Sequence, residues 1–151
     1  MSILLAEIMA EHGFPQLGEN ERRESLQKAL DTPGHSFLVA EVSGAIAGMC
    51  ALVVTFSTWR NRKVCELQDV VVKERYRRRG IGGRLIGEAE RAARAAGCST
   101  LFWLAESWNL PAHAFYRSLG TGEKTVLYFE RPLAQHESEG GQPPGPERGT
   151  D

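Results

Sequence analysis

Val70-Val71-Val72-Lys73-Glu74-Arg75-Tyr76-Arg77-Arg78-Arg79-Gly80-Ile81-Gly82-Gly83-Arg84-Leu85 is the stretch whose reading decides the fold. A run of β-branched valines reads as a buried strand. A basic turn punctuated by glycine follows, and a helix then begins. Strand, turn and helix start together aim main-chain N–H groups, and the positive end of a helix dipole, at one point. Such a point is suited to a polyphosphate. Two familiar phosphate loops do not fit it. A P-loop requires Gly-x-x-x-x-Gly-Lys-Ser/Thr, which the chain lacks. A dinucleotide fingerprint requires Gly-x-Gly-x-x-Gly, and Leu85 stands where its third glycine belongs.

Outward from this stretch the chain reads as follows. Leu4, Leu5, Ile8 and Met9 have helical spacing, so residues 3 to about 12 are predicted helical. Asn20 is positioned to cap a second helix that ends near Thr32-Pro33-Gly34. Ser36 to Val42, the turn Ser43-Gly44 and Ala45 to Phe56 form a predicted hairpin. Thr58 to Lys63 is a polar basic loop, and Val64 to Lys73 the next strand. Gly80 to Ala96 is a helix with Ile81, Leu85, Ile86, Ala89 and Ala93 on one stripe, stopped by Gly97. Thr100 to Ala105 is a short strand, Pro111 to Leu119 a helix, and Thr125 to Arg131 a last strand. The expectation is an α+β fold: a mixed, mostly antiparallel sheet with helices on both faces. One domain is expected over residues 1–133. The Gly/Pro-rich, charged stretch 134–151 is expected to be a disordered tail.

Composition narrows the function. With 151 residues there is room for one real core. A net charge of -1 argues against a general nucleic-acid binder, so the arginine run is better read as a local site than as a field. The three cysteines form no Cys-x-x-Cys pair and suit a reducing cytoplasm. The four histidines lack ligand spacing, so no metal is expected. No signal peptide or membrane span is read from the sequence.

The hexapeptide Arg77-Arg78-Arg79-Gly80-Ile81-Gly82 resembles the Arg/Gln-x-x-Gly-x-Gly/Ala signature of the GNAT superfamily of N-acetyltransferases. The downstream Leu101-Phe102-Trp103-Leu104-Ala105, then Trp108-Asn109-Leu110-Pro111-Ala112-His113-Ala114-Phe115-Tyr116, is similar to the second half of the same pattern. The resemblance spans about residues 36 to 131. It is nearest in look to the diamine (spermidine/spermine-type) and small aminoalkyl acetyltransferases, through Phe56-Ser57-Thr58, Leu67-Gln68-Asp69 and the Trp108 to Tyr116 run. That family opens with an edge strand, which this chain is expected to lack, and the Thr121-Gly122-Glu123-Lys124 connection is shorter than usual.

The resemblance implies acetyl-CoA as co-substrate and a small primary amine as acceptor. A peptide acceptor, or a non-catalytic acetyl-CoA sensor, are the alternatives. Arg77, Arg78, Arg79, Gly80, Ile81, Gly82, Gly83 and Arg84 are the expected pyrophosphate loop, although each arginine also reads as a solvated basic face. Val70, Val71 and Val72 are expected beside the pantetheine arm, with Val70 and Val72 acting through main-chain groups; sheet core is compatible with that. Asn109 matches a coenzyme-arm position and is equally a good helix cap. Tyr116 matches the proton donor to the departing sulfur, the plainer reading being a half-buried aromatic beside Phe115. The base is expected at Glu66, because Gln68, which stands where a carboxylate is usual, cannot accept a proton. Gln68, Asp69, Trp103 and Glu106 are the expected acceptor contacts, Asp69 depending on a bulge in the strand. Trp59 and Trp108 add aromatic faces for an ammonium, while Arg60, Arg62 and Lys63 would suit an anion. A homodimer, paired through the last strand, is expected from the resemblance; no nucleic acid or membrane partner is.

Overall fold

A computed structural model describes residues 17–133 of the chain. The helix expected over 3–12, the edge strand in question and the tail from 134 lie outside the described residues. Residues up to Thr121 belong to one compact unit, and the chain from Gly122 to another.

Helix α1 runs Glu19–Asp31. It starts ahead of Asn20, so Asn20 is not its cap. Gly18 takes that position, and the Glu21 carboxylate accepts a 2.6 Å bond from the Gly18 N–H. Glu21 is three residues along, within reach of that orphan donor. Strands β1 (His35–Val42) and β2 (Ala45–Ser57) are joined by Ser43 and Gly44, both at positive φ (51° and 76°). Two left-handed residues match the right-handed twist of a tight hairpin. Strand β3 (Arg62–Val72) pairs antiparallel with β2. A single 3-10 turn, Glu74–Tyr76, leads to helix α2 (Ile81–Ala95), and β4 (Leu101–Phe102) pairs parallel to β3. Helix α3 is Leu110–Ser118. Among the described residues the sheet order is β1-β2-β3-β4.

The core lies where α2 covers the sheet. Ile81, Leu85, Ile86, Ala89 and Ala93 are its buried stripe, against Ala47, Cys50 and Leu52 of β2 and Cys65 and Leu67 of β3. These are the five helix positions that periodicity selects. A smaller cluster gathers Met49 and Val71 with Phe37 and Ile46.

Strand β3 changes phase within its length. Met49 faces Val71 and Ala51 faces Gln68, so three steps on β3 match two on β2. The extra residue is accommodated at Asp69, whose φ is 50°. This is a β-bulge with an aspartate in the left-handed region, which that side chain tolerates better than most. Before it, Cys65 and Leu67 touch the main core; after it, Val70 and Val72 do, and Val71 joins the other cluster.

Two expected strands change. The strand over Thr100 to Ala105 forms only at Leu101–Phe102; beyond Phe102 the chain leaves β3, so the ladder ends. The strand expected over Thr125 to Arg131 is not formed: residues 121–133 have no regular structure. Val126, Leu127, Tyr128 and Phe129 are all exposed. An apolar alternation becomes a strand only beside a partner edge, and the unit from Gly122 supplies none among its described residues.

Candidate active site

The turn after β3 is built by its backbone. Arg78 and Gly80 both have positive φ, 61° and 74°, on either side of Arg79. Gly80 is the residue before α2, and the first helical bond is Arg84 N–H to the Gly80 carbonyl, 3.1 Å. The N–H groups of Ile81, Gly82 and Gly83 therefore have no partner within the helix. No acidic residue lies in that first turn. Alternating left-handed residues before an open helix start form a concave set of N–H donors suited to an anion. This fits a pyrophosphate.

The side chains here divide by task. The Arg77 guanidinium turns back, and Nε donates to the Val72 carbonyl at 2.9 Å. It ties the turn to the end of β3. Arg75 and Arg79 sit over the Tyr76 ring, 4.8 and 5.7 Å from its centroid. Such cation–π contacts give the guanidinium a defined place. Gly82 has a packing reason: a Cβ there would lie 3.0 Å from Phe115 Cζ. The helix start and α3 thus meet face to face at this glycine. Tyr76 and the Phe115 contact were missed by sequence reasoning. An aromatic set within an arginine run was the only sign of the first.

The second part of the site lies along the outer edge of β3. Lys73 N–H bonds the Ala47 carbonyl on the β2 side. Val72, one residue earlier, therefore turns its N–H and C=O to the opposite edge, and Val70 does likewise. On that edge β4 pairs only with Cys65 and Glu66. Among the described residues no strand covers the stretch beyond Glu66, so β3 and the chain after Phe102 enclose a slot.

The two faces of the slot carry different groups. Trp103, the first residue past β4, packs on Tyr116 with ring centroids 5.2 Å apart, and Phe115 is also 5.2 Å from Tyr116. All three rest against the main core. Burial pushes the Tyr116 phenol above its usual value, so it is protonated throughout the neutral range. Glu66 and Gln68 alternate with Cys65 and Leu67 and so occupy the other face. Phe102 is the register partner of Glu66 and shares that face. The structure therefore brings Trp103 to Tyr116, and not to Glu66. Asp69 is exposed at the bulge. Trp59, at the tip of the β2–β3 hairpin, is 94% exposed, and Arg60 donates to Thr100 Oγ1 at 3.3 Å.

Glu106 and Asn109 belong to the turn that leads from β4 into α3. Asn109 caps α3: its Oδ1 accepts from Ala112 N–H at 3.2 Å. The cap uses only the side-chain oxygen and leaves the amide donors to other tasks. Glu106 contributes its main-chain carbonyl, which accepts from Asn109 N–H at 2.9 Å. His113, four residues after Asn109, meets the same carbonyl and had not been singled out from the sequence. No cluster of His, Cys, Asp and Glu fit to hold a metal occurs among the described residues. No helix among them is long and apolar enough to cross a membrane.

A bulged strand, a basic turn into a helix and a splayed neighbouring strand define an acetyltransferase-type fold. The family model described as the acetyltransferase (GNAT) family matches residues 4–121, and the chain belongs to that family. It is 33% identical over 103 residues to the thialysine N-epsilon-acetyltransferase of Bos taurus, covering 63% of this chain and 60% of that protein. The chain thus spans about three fifths of the length of that relative. A putative acetyltransferase from Agrobacterium tumefaciens has the same fold, with TM-score 0.75 and 24% identity over 87% of this chain and 92% of that one. An aminoglycoside acetyltransferase from an uncultured soil metagenomic sample aligns with TM-score 0.68 and 27% identity, covering 74% of each chain.

Proposed function

We propose that this chain is an acetyl-CoA-dependent N-acetyltransferase acting on a primary amine of a small molecule, diamine-like or otherwise aminoalkyl. The observation that carries the reading is the pair of faces at the slot: a protonated, half-buried Tyr116 on one and Glu66 on the other. The named activities of similar proteins, on thialysine and on aminoglycosides, support a small amine as acceptor.

The pyrophosphate rests on the N–H groups from Arg78 to Gly83, with Arg78, Arg79 and Arg84 lending charge. Val70 and Val72 bind the pantetheine arm through their outward main-chain groups, as an added strand would. A primary amine, with pKa about 10.4, arrives protonated. Glu66 takes that proton through a water. The amine nitrogen then bonds to the thioester carbonyl carbon and the C–S bond breaks. Tyr116 donates its proton to the leaving sulfur, and the second proton, shed by the nitrogen once it is bonded to the acyl carbon, returns through water to the phenolate. A free thiol has pKa about 8.5 and a phenol about 10, so the transfer is uphill and depends on contact rather than on acidity. Gln68, Asp69 and Glu106 face the acceptor as polar or negative contacts, and Trp103 serves it by fixing Tyr116.

Residues 1–133 act in this reading as one functional domain. The exposed Val126 to Phe129 segment pairs with a second copy to make a homodimer. Cys50, Cys65 and Cys98 are free thiols, in keeping with a cytoplasmic location. A sensor that binds acetyl-CoA without turnover is the second reading, favoured by Gln68, which cannot act as a base.

The test is thiol release from acetyl-CoA across diamines, polyamines, aminoglycosides, aminoalkylphosphonates, amino acids and a lysine peptide. Release with one amine class is expected. Tight acetyl-CoA binding without release from any of them would move the assignment to the sensor.

A further inference from the structure

The turn before α3 spends its hydrogen bonds in an orderly way. The Glu106 carbonyl accepts from Asn109 N–H at 2.9 Å and meets His113 Nε2 at 2.9 Å. A carbonyl oxygen only accepts, so Nε2 carries the proton. The Asn109 carbonyl accepts from His113 N–H at 3.1 Å, and Asn109 Oδ1 accepts from Ala112 N–H at 3.2 Å. Three of the four hydrogen-bonding groups of Asn109 are thereby committed. Only its side-chain NH2 is left by this turn, and it can donate but not accept.

We propose that His113 is a positioning residue: its Nε2–H strap on the Glu106 carbonyl holds the turn so that the Asn109 side-chain amide presents an N–H donor to an amide carbonyl of the pantetheine arm. The ligand chemistry follows from the accounting. With its acceptors used, Asn109 selects an acceptor group, which a pantetheine amide offers in its C=O. Chain contact alone does not make the strap necessary. Asn109 N–H already closes the turn on Glu106, and His113 adds a second tie from one helical turn further along α3. It couples the pitch of α3, and with it Tyr116 three residues on, to the height of the turn. The proposal rests on the acetyl-CoA reading above.

Two variants separate the bond from the bulk of the ring. His113→Phe keeps the ring and removes the donor. His113→Gln keeps a donor at nearly the same reach. Hydrogen exchange of the Asn109 and Ala112 amides is followed in the full chain without ligand, and the Kd for acetyl-CoA is measured by calorimetry beside kcat on the best amine. In His113→Phe, exchange at those amides is expected to rise about tenfold and the Kd about fivefold, the size of one lost hydrogen bond, and kcat to fall with them because Tyr116 rides on the strapped helix. His113→Gln is expected to restore all three. Unchanged exchange in His113→Phe overturns the strap. Faster exchange with an unchanged Kd overturns the positioning role and leaves the acetyltransferase reading intact. A Gln variant as impaired as the Phe variant overturns the assignment to the donor. A wild-type chain that does not bind acetyl-CoA overturns this inference and the proposed function together.

Discussion

The basic turn before α2 and the slot beside β3 are built in opposite ways. Everything in the turn comes from residues 72–84, contiguous in the chain, and its main devices are main-chain conformations at Arg78 and Gly80. The slot takes Glu66 and Gln68 from β3, Phe102 and Trp103 from β4 and just beyond it, and Tyr116 from α3. These residues are spread over positions 66–116, with α2 between β3 and the other two elements. A local device tolerates change in side chains but not in φ. An assembled device depends on register, and a change anywhere in the sheet reaches it. In the proposed function, phosphate binding and proton donation therefore draw on different residues, and Gly82, where the turn touches α3, is a joint between them.

Tyr116→Phe gives the largest expected effect. Loss of the proposed proton donor should lower kcat by about 10²- to 10³-fold, while the Kd for acetyl-CoA stays within about twofold. Steady-state kinetics beside calorimetry checks both numbers. An equal fall in affinity would show the two regions to be one.

Stability at alkaline pH sharpens the contrast, because it tests the core beneath the slot rather than the turn. Burial pushes the Cys50 thiol from 9.0 up to about 11. Burial likewise raises Cys65 and Tyr116. The native state holds these protons more tightly than the unfolded chain. For Cys50 the contribution is therefore complete below about pH 9 and is lost as pH rises through about 11. For Cys50 alone this amounts to about 2–3 kcal/mol. Urea midpoints from pH 7 to 11 should stay level to about 9 and then fall, and Cys50→Ala should flatten the fall.

Gly82→Val attacks that joint between the regions. A side chain there meets the Phe115 ring, so stability should drop by about 1–3 kcal/mol. Both kcat and acetyl-CoA affinity should suffer, unlike in Tyr116→Phe. Thermal unfolding and calorimetry read the result; a change in affinity alone would place the joint elsewhere.

Arg79→Ala is the smallest perturbation. Losing one exposed guanidinium should weaken acetyl-CoA by about threefold at low salt, and less at high salt, with kcat unchanged. A salt titration of the Kd is sufficient.

The legibility of the sequence follows the same division. The Ser43-Gly44 hairpin, the stripe of α2 and the basic turn could be read from consecutive residues, because their causes are local. The bulge at Asp69 could only be raised as a condition for that residue, since register is a property of two strands. The stretch Thr125 to Arg131 has the right alternation and no partner among the described residues of its own unit. The strand from Thr100 was cut to two residues because β3 and the chain after Phe102 part company. His113 was invisible because its partner is a main-chain carbonyl, which no residue type announces. Asn109 was read correctly as a cap, and its remaining amide is what keeps the coenzyme role open to it.

The aspartate inserted at position 69 works like a frameshift in a two-letter code. Residues 62–68 are written in one frame of the sheet and residues 70–72 in the other, so the same strand spells core on odd numbers and then on even ones. Deleting Asp69 would leave composition, charge pattern and strand length nearly intact. Yet it would force one half of the message into the wrong frame. Either the valines would turn away from α2, or Glu66 and Gln68 would turn into it and set a carboxylate among Leu85 and Ala89. The strand can keep its hydrophobic lettering or its polar lettering without that residue, but not both.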